Sequence, residues 1–515
     1  MPVRKLLARH GWLIAIAAAY LYVFPYFPSI QSANELPRVY LTQAMVNEQT
    51  FHIDTGVNHW GGTVDVSPSL GHLYSNKAPG SSMLAAPAYA VLKLFVGEPS
   101  LAVSVWLCRV VSGVLPTLVF LWLLWGFLAR FAPDENIRKL VLLGYALGSM
   151  AMTYSVLFFS HQLGAVCVGS AWILAIEFTE RKRGLWAMAG AGALAGAALL
   201  VDYQAVFGAV PVAVLVVVRI RTWPRADLLR ALGAAAAGAA IPIALLLGYH
   251  TLAFGRPFRT GYDASTTFAS FHQQGFLGIT KLRWEAFWGS MFQADNGLFM
   301  MMPWVALAIP GAVTLAKKGE RAVVATAVAA MVIYILFISS INFWRGGWGV
   351  GPRYITAMLP FTLPLVAAQL QAWKPRPLVL GAAAGTILVG VAIYCLSNIT
   401  FPYWPDNLRN PLVEIVFRLL GDNVVAGNLG SAIGIGGIAG LVPYFALIAV
   451  PIGFALVGAA TWRGAVIAVA LAGAFLVAYA QLPQASVAQS QRVYGKVRAH
   501  VLDICYEEPC PRIVR

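Results

Sequence analysis

"KKGERAVVATAVAAMVIYILFISS", residues 317–340, puts four charges into its first five positions and none from Ala322 to Ser340. About twenty apolar residues in helical conformation cover the roughly 30 Å hydrocarbon layer of a bilayer, so the stretch predicts one membrane-crossing helix. The basic residues at its start fix its direction, because lysine and arginine accumulate in short cytoplasmic connections. The same pattern recurs near 11–28, 104–130, 138–158, 162–178, 184–201, 204–220, 229–249, 297–316, 355–372, 377–396, 432–458 and 463–482. The fold class expected is an all-α polytopic membrane protein of about thirteen transmembrane helices.

Composition excludes the alternatives. The chain is 59% hydrophobic and 11% charged, where a soluble protein carries about 25% charged residues. The apolar runs are continuous and do not alternate with period two, which argues against a β-barrel. A net charge of +15 raises the question of nucleic acid, but the basic residues fall in short clusters between spans. "ERKRG" (180–184), "RIRTWPR" (219–225), "KKGER" (317–321), "KPRP" (374–377) and "TWRG" (461–464) occupy alternate connections, as the positive-inside rule requires; "ARFAPDENIRK" (129–139) is more mixed and fits. No nucleic acid partner is expected. "MPVRKLLARHGWLIAIAAAYLYVF" (1–24) reads as an uncleaved first span with a cytoplasmic N-terminus, since no small-residue cleavage site follows it. An odd number of spans then puts the C-terminus on the external, periplasmic side of a cytoplasmic (inner) membrane.

The long connections all fall on that external side: residues 29–100, 250–296, 397–431 and the tail 483–515. Long irregular connections are commonly functional. In the first, "PRVYLTQAMVNEQTF" (37–51) and "APGSSMLAAPAYAVLKLF" (78–95) suit helices lying at the interface. Cys108, Cys167 and Cys395 lie in apolar runs as small core residues. Cys505 and Cys510 in "CYEEPC" could pair in an oxidising compartment or stand as two free thiols.

Ionisable residues near a bilayer are costly and mark function, and here they gather externally. "SANELPRVY" (32–40) brings Glu35 and Arg38, and "HLYSNKAPG" (72–80) brings Tyr74 and Lys77. "FSHQLG" (159–164) sets His161 in one tight turn, and "LLVDYQAVFG" (199–208) sets Asp202 in another. "FGRPFRTGYD" (254–263) supplies Arg256 and Arg259, and "WRGGWGVGPRY" (344–354) supplies Arg345, Arg353 and Tyr354. Plainer readings stand beside these: Glu35 pairing with Arg38 on a wet helix, Lys77 snorkelling, and Asp54 and Asp65 solvated in mid-loop. No HExxH, DxD or Cys/His ligand spacing is present, and no nucleotide-binding glycine pattern. Basic groups at an interface can hold a lipid phosphate, and a lone carboxylate can serve as base.

The order of these motifs resembles the GT-C superfamily of polyprenyl-phosphate-dependent glycosyltransferases, in particular the branch of protein O-mannosyltransferases and aminoarabinose transferases. Its acidic motif after the first span is matched by Asn34-Glu35 with Arg38 and Tyr40. Its Tyr-x-x-Lys-x-Pro motif is matched by Tyr74, Lys77 and Pro79, and its Gly-Pro-Arg-Tyr by residues 351–354. One departure stands out: Asn34 occupies the place of the usual aspartate. The resemblance covers roughly residues 10–400, which makes 1–400 a GT-C-like catalytic module, followed by an outer loop with two spans (401–482) and an external tail (483–515). It implies inverting transfer of a sugar from a polyprenyl-phosphate-sugar donor to an acceptor hydroxyl on a lipid, glycan or protein. In that scheme Glu35 is the base, and Lys77, Arg353 and Arg256 hold the donor phosphate. Arg38, Tyr74, His161, Asp202 and Tyr354 support them. No resident cofactor is implied, and metal dependence is left open. Two other classes remain in view: a transporter or flippase for an anionic lipid, and a non-catalytic relative of the same fold.

Overall fold

The computed structural model describes residues 3–26 and 32–504. A helix stands at every expected span. Among the described residues eight helices are long and apolar enough to cross a membrane, including Leu101–Leu128, Ser160–Thr179, Arg321–Ser340, Arg353–Trp373 and Pro377–Thr400. Shorter apolar helices occupy His10–Tyr22, Leu185–Val201 and Pro303–Lys317, and Glu135–Leu147 with Met150–Ser155 fill the run near 138–158. The molecule is a multi-pass, all-α membrane protein.

Gly437–Ala480 contains the two spans expected there, joined at a kink. Thr461 takes φ 64° and ψ 169° within it, at the first residue of "TWRG". Tyr444 lies by Cys395 and Tyr479 by Tyr394, while Gly464 lies against Gly381. The two arms therefore run in opposite directions along Pro377–Thr400. Small residues bring helices close elsewhere too: a Cβ on Gly192 would come within 2.0 Å of the Ala235 carbonyl oxygen, and one on Gly238 within 1.9 Å of that of Ala189. Backbone approach of this kind is how helices associate where no hydrophobic force drives them together.

The two ends of the bundle differ. At one, short basic connections meet acids: Arg130 bonds Glu180 at 2.6 Å and also pairs with Glu320, and Lys374 pairs with Asp134. At the other end the long connections gather. There Val66–Ser69 and His72–Ser75 form an antiparallel hairpin with Val66 opposite Ser75 and Ser69 opposite His72. Of the two helices expected at the interface, Gly80–Val96 leaves Leu94 and Phe95 more than four-fifths exposed. Leu36–Asn47 differs from expectation, because every residue from Leu36 to Ala44 is buried. It is an internal strut, packed under the hairpin and Gly80–Val96. The segment after residue 400 reaches back to the first helix, where Val23–Tyr26 pairs with Gly427–Asn428. Cys505 and Cys510 lie outside the described residues.

Candidate active site

A cavity of about 430 Å³ opens among the long connections, lined by residues from Ser32 to His500. Asn34, Asp65, Lys77, Arg353 and Tyr354 reach it, together with aromatic side chains such as Tyr262, Phe268, Trp348 and Tyr403. The hairpin explains how the first loop delivers its polar pair. Asp65 precedes Val66 and Lys77 follows Ser75, so closing the ladder brings them together, with Lys77 Nζ 3.0 Å from Asp65 Oδ2. Asn76 Nδ2 donates to Asp65 Oδ1 at 3.3 Å. Both members are nearly buried. Burial lowers the Lys77 pKa, and the Asp65 charge opposes that without cancelling it. Lys77 also lies 5.6 Å from the centre of the Tyr262 ring.

Arg353 is held by the glycine-rich turn before it. Its Nη1 donates to the Trp348 carbonyl at 3.1 Å and its Nη2 to that of Gly346. Gly346 has φ +72°, and a Cβ there would stand 2.9 Å from Arg353 Nε, so only glycine lets the turn wrap the guanidinium. The Arg353 Nε is buried and has no hydrogen-bond partner among the described residues. The guanidinium rests over Phe159 at 5.1 Å and Tyr354 at 5.7 Å. A guanidinium at a cavity wall is suited to an anion.

Glu35 is not at that wall. It is wholly buried, and its carboxylate is fully engaged. Arg109 Nε donates to Oε1 at 2.8 Å and Nη2 to Oε2 at 3.0 Å. The Phe158 amide donates to Oε1 and the Tyr403 hydroxyl to Oε2, each at 2.6 Å. Burial pushes the Glu35 pKa up, but Arg109 and these hydrogen bonds outweigh it and hold the carboxyl below its usual range. Nor does Arg38 pair with Glu35. Its Nε, Nη1 and Nη2 donate to Asn34 Oδ1 (3.2 Å), the Ala78 carbonyl (3.2 Å) and Ser160 Oγ (2.9 Å). Arg38 thus ties the acidic-motif turn to the lysine loop, leaving Arg109 as the partner of Glu35.

The remaining predicted residues divide. His161 Nδ1 and Asp202 Oδ2 lie 2.8 Å apart, and the His161 ring packs edge-on against Tyr354 at 5.8 Å; the pair braces the cavity wall from behind. Tyr74 is buried beneath the hairpin, with its ring 5.8 Å from Phe254. Arg256 is exposed and lies outside the cavity lining. Arg345 pairs with Asp295 in a separate recess.

Sequence reading missed Arg109, although an arginine inside the apolar run 101–128 is a signal in itself. It also set Asp65 among solvated loop residues. Tyr262, His272 and His500, which line the cavity, carried no motif. Burial and the Lys77 charge lower the His272 pKa to about 4, and burial brings that of His500 to about 4, so both enter the site as neutral imidazoles at pH 7.

No protein-family model matches the chain, and no curated protein does. Solved structures similar to it include ArnT from Cupriavidus metallidurans in the apo state, at 13% identity and TM-score 0.48, covering 92% of this chain and 77% of that one. ArnT from the same organism bound to undecaprenyl phosphate aligns at 12% identity and TM-score 0.49, covering 93% and 78%. The arabinosyltransferase EmbB from Mycobacterium smegmatis aligns at 14% identity and TM-score 0.45, with 93% of this chain matching 41% of that one.

Proposed function

We propose that the chain is a membrane glycosyltransferase that moves a sugar from a polyprenyl-phosphate-linked donor to an acceptor hydroxyl, with inversion, at the external face of the cytoplasmic membrane. The observation that carries this reading is the meeting of Lys77, Asp65 and Arg353 on one aromatic-walled cavity of about 430 Å³. The cations answer a phosphate, and the apolar walls suit a sugar ring. The matched motifs Tyr74/Lys77/Pro79 and Gly351–Tyr354 come from the two connections that supply those cations.

In this mechanism the donor phosphate bridges Lys77 and the guanidinium of Arg353. Taking Lys77 as a partner weakens its bond to Asp65, and the released carboxylate faces the same space. Asp65 then accepts the proton of the acceptor hydroxyl as its oxygen attacks the anomeric carbon, and the bond from that carbon to the phosphate oxygen breaks. The leaving phosphate gains negative charge, which Lys77 and Arg353 offset. Asp65 replaces Glu35 in the role of base, because Glu35 has no exposed oxygen and no acceptor position left. Glu35 instead keeps the cavity-lining Tyr403 in register with Arg109 and Phe158. The test is transfer of labelled sugar from a defined polyprenyl-phospho-sugar by the purified protein. Turnover by the wild type and its loss in Asp65→Asn supports the proposal; undiminished turnover in Asp65→Asn removes Asp65 as base.

A further inference from the structure

Away from the cavity, at the far end of the hairpin, three side chains converge on one point. His72 Nδ1 lies 2.8 Å and His52 Nδ1 3.0 Å from the same oxygen, Asp54 Oδ2. The two imidazoles are stacked, centroids 4.3 Å apart and planes 12° from parallel. All three donor atoms fall within 4.8 Å of one another.

A plain hydrogen-bonded cluster accounts for only part of this. His72 and Asp54 are in hydrogen-bond geometry, but His52 Nδ1, shielded from solvent and 3.0 Å from the carboxylate, makes no hydrogen bond among the described residues. A buried polar atom without a partner calls for an explanation such as an ion. Tetrahedral zinc, with bonds of about 2.0–2.1 Å, holds its donors roughly 3.3 Å apart; the two nitrogen–oxygen separations are already near that, and the stacked imidazoles reach one ion by turning out of their parallel arrangement. The other carboxylate oxygen, Asp54 Oδ1, accepts from the Leu73 amide at 3.0 Å, the kind of outer bond that orients a metal-ligating carboxylate.

We propose that His52, Asp54 and His72 bind a divalent transition ion of the zinc type through two imidazole Nδ1 atoms and one carboxylate oxygen, with the fourth position open to water. The donor set, two nitrogens and one oxygen, suits zinc over magnesium or calcium, which favour oxygen alone. The placement gives the ion a mechanical role. Ile53 N already donates to the Leu73 carbonyl at 2.8 Å, and His52 bridges to Tyr74. The ion clips residues 52–54 to the tip of a hairpin whose feet carry Asp65 and Lys77.

The experiment uses the full chain in detergent, purified without a polyhistidine tag and stripped with chelator. Cobalt(II) is titrated as the probe, followed by zinc in competition. One ion per chain with a visible ligand-field absorption that zinc bleaches, lost in His52→Ala and in His72→Ala, is the expected result. Zinc should also raise the melting temperature of the wild type and leave that of the double variant His52→Ala/His72→Ala unchanged. Asp54→Asn is the second variant: it keeps an oxygen for the Leu73 amide, holds the loop folded, and should still lose cobalt binding. No binding by the wild type, or equal binding by the double variant, overturns the site.

Discussion

Glu35 and Arg109 meet through two parallel hydrogen bonds of 2.8 and 3.0 Å with no exposure of the carboxylate. Removing one partner of a buried pair leaves an uncompensated charge, at a cost of about 3–5 kcal/mol. Glu35→Gln should therefore lower the melting temperature in detergent, and Arg109→Ala should do so as well. A Glu35→Gln protein that melts like wild type but has lost turnover would return the role of base to Glu35.

The Asp65–Lys77 pair is also buried, so Asp65→Asn should lower the melting temperature as well. In the protein that stays folded it should cut turnover by about a hundred- to ten-thousandfold, the usual worth of a general base. Donor binding should hold or tighten, since Lys77 is freed. Lys77→Ala should weaken donor binding by about 1.5–3 kcal/mol, the worth of one charge-assisted contact. Binding measured with the donor lipid in nanodiscs separates the two effects.

Asn34 lines the cavity and its Oδ1 accepts from Arg38. Asn34→Asp supplies the acid usual in the resembling family, and here it would be answered by that guanidinium. Turnover in a labelled-sugar assay should be little changed. A large rise would identify the natural protein as a weakened relative and the new aspartate as the better base.

His272 gives a pH dependence of definite sign. Its pKa falls from 6.5 to about 4 on folding, through burial first and the Lys77 charge second. Between those values the unfolded chain binds the additional proton, so stability should fall as pH drops through that window. Melting curves from pH 7 to about pH 4 should flatten in His272→Gln.

Topology is tested with fusions. A reporter after Arg183 should read cytoplasmic and one after Asp263 external, because the first follows a short basic connection and the second lies among the cavity loops. Agreement in sign between the two would break the alternation of spans.

Much of the fold could be read from period and charge alone. Every expected span carries a helix, and even the reversal inside Gly437–Ala480 was marked by "TWRG". The site was less legible, for physical reasons. Motif order pointed to Lys77 and Arg353, and both line the cavity. Asp65 acquires its partner only through the register that sets Val66 opposite Ser75, and a short hairpin of ordinary residues announces no register. Arg38 and Glu35 stand three positions apart, close enough on a helix to suggest a pair. Yet Glu35 sits at the cap of Leu36–Asn47, and its carboxylate meets a guanidinium from another helix. Nearness in sequence was outbid by a bidentate geometry that only the packed bundle provides.

The lining of the cavity runs from Ser32 to His500, and this sets a schedule for biogenesis. Chains emerge N-terminus first and their early segments pack before later ones exist. The hairpin with Asp65 and Lys77 is available early, Arg353 follows much later, and the Val487–Leu502 helix that brings His500 comes last. A nascent chain thus holds Asp65 beside Lys77 for most of synthesis without the walls that complete the cavity around them. Among the described residues the cavity closes only when Val487–Leu502 docks.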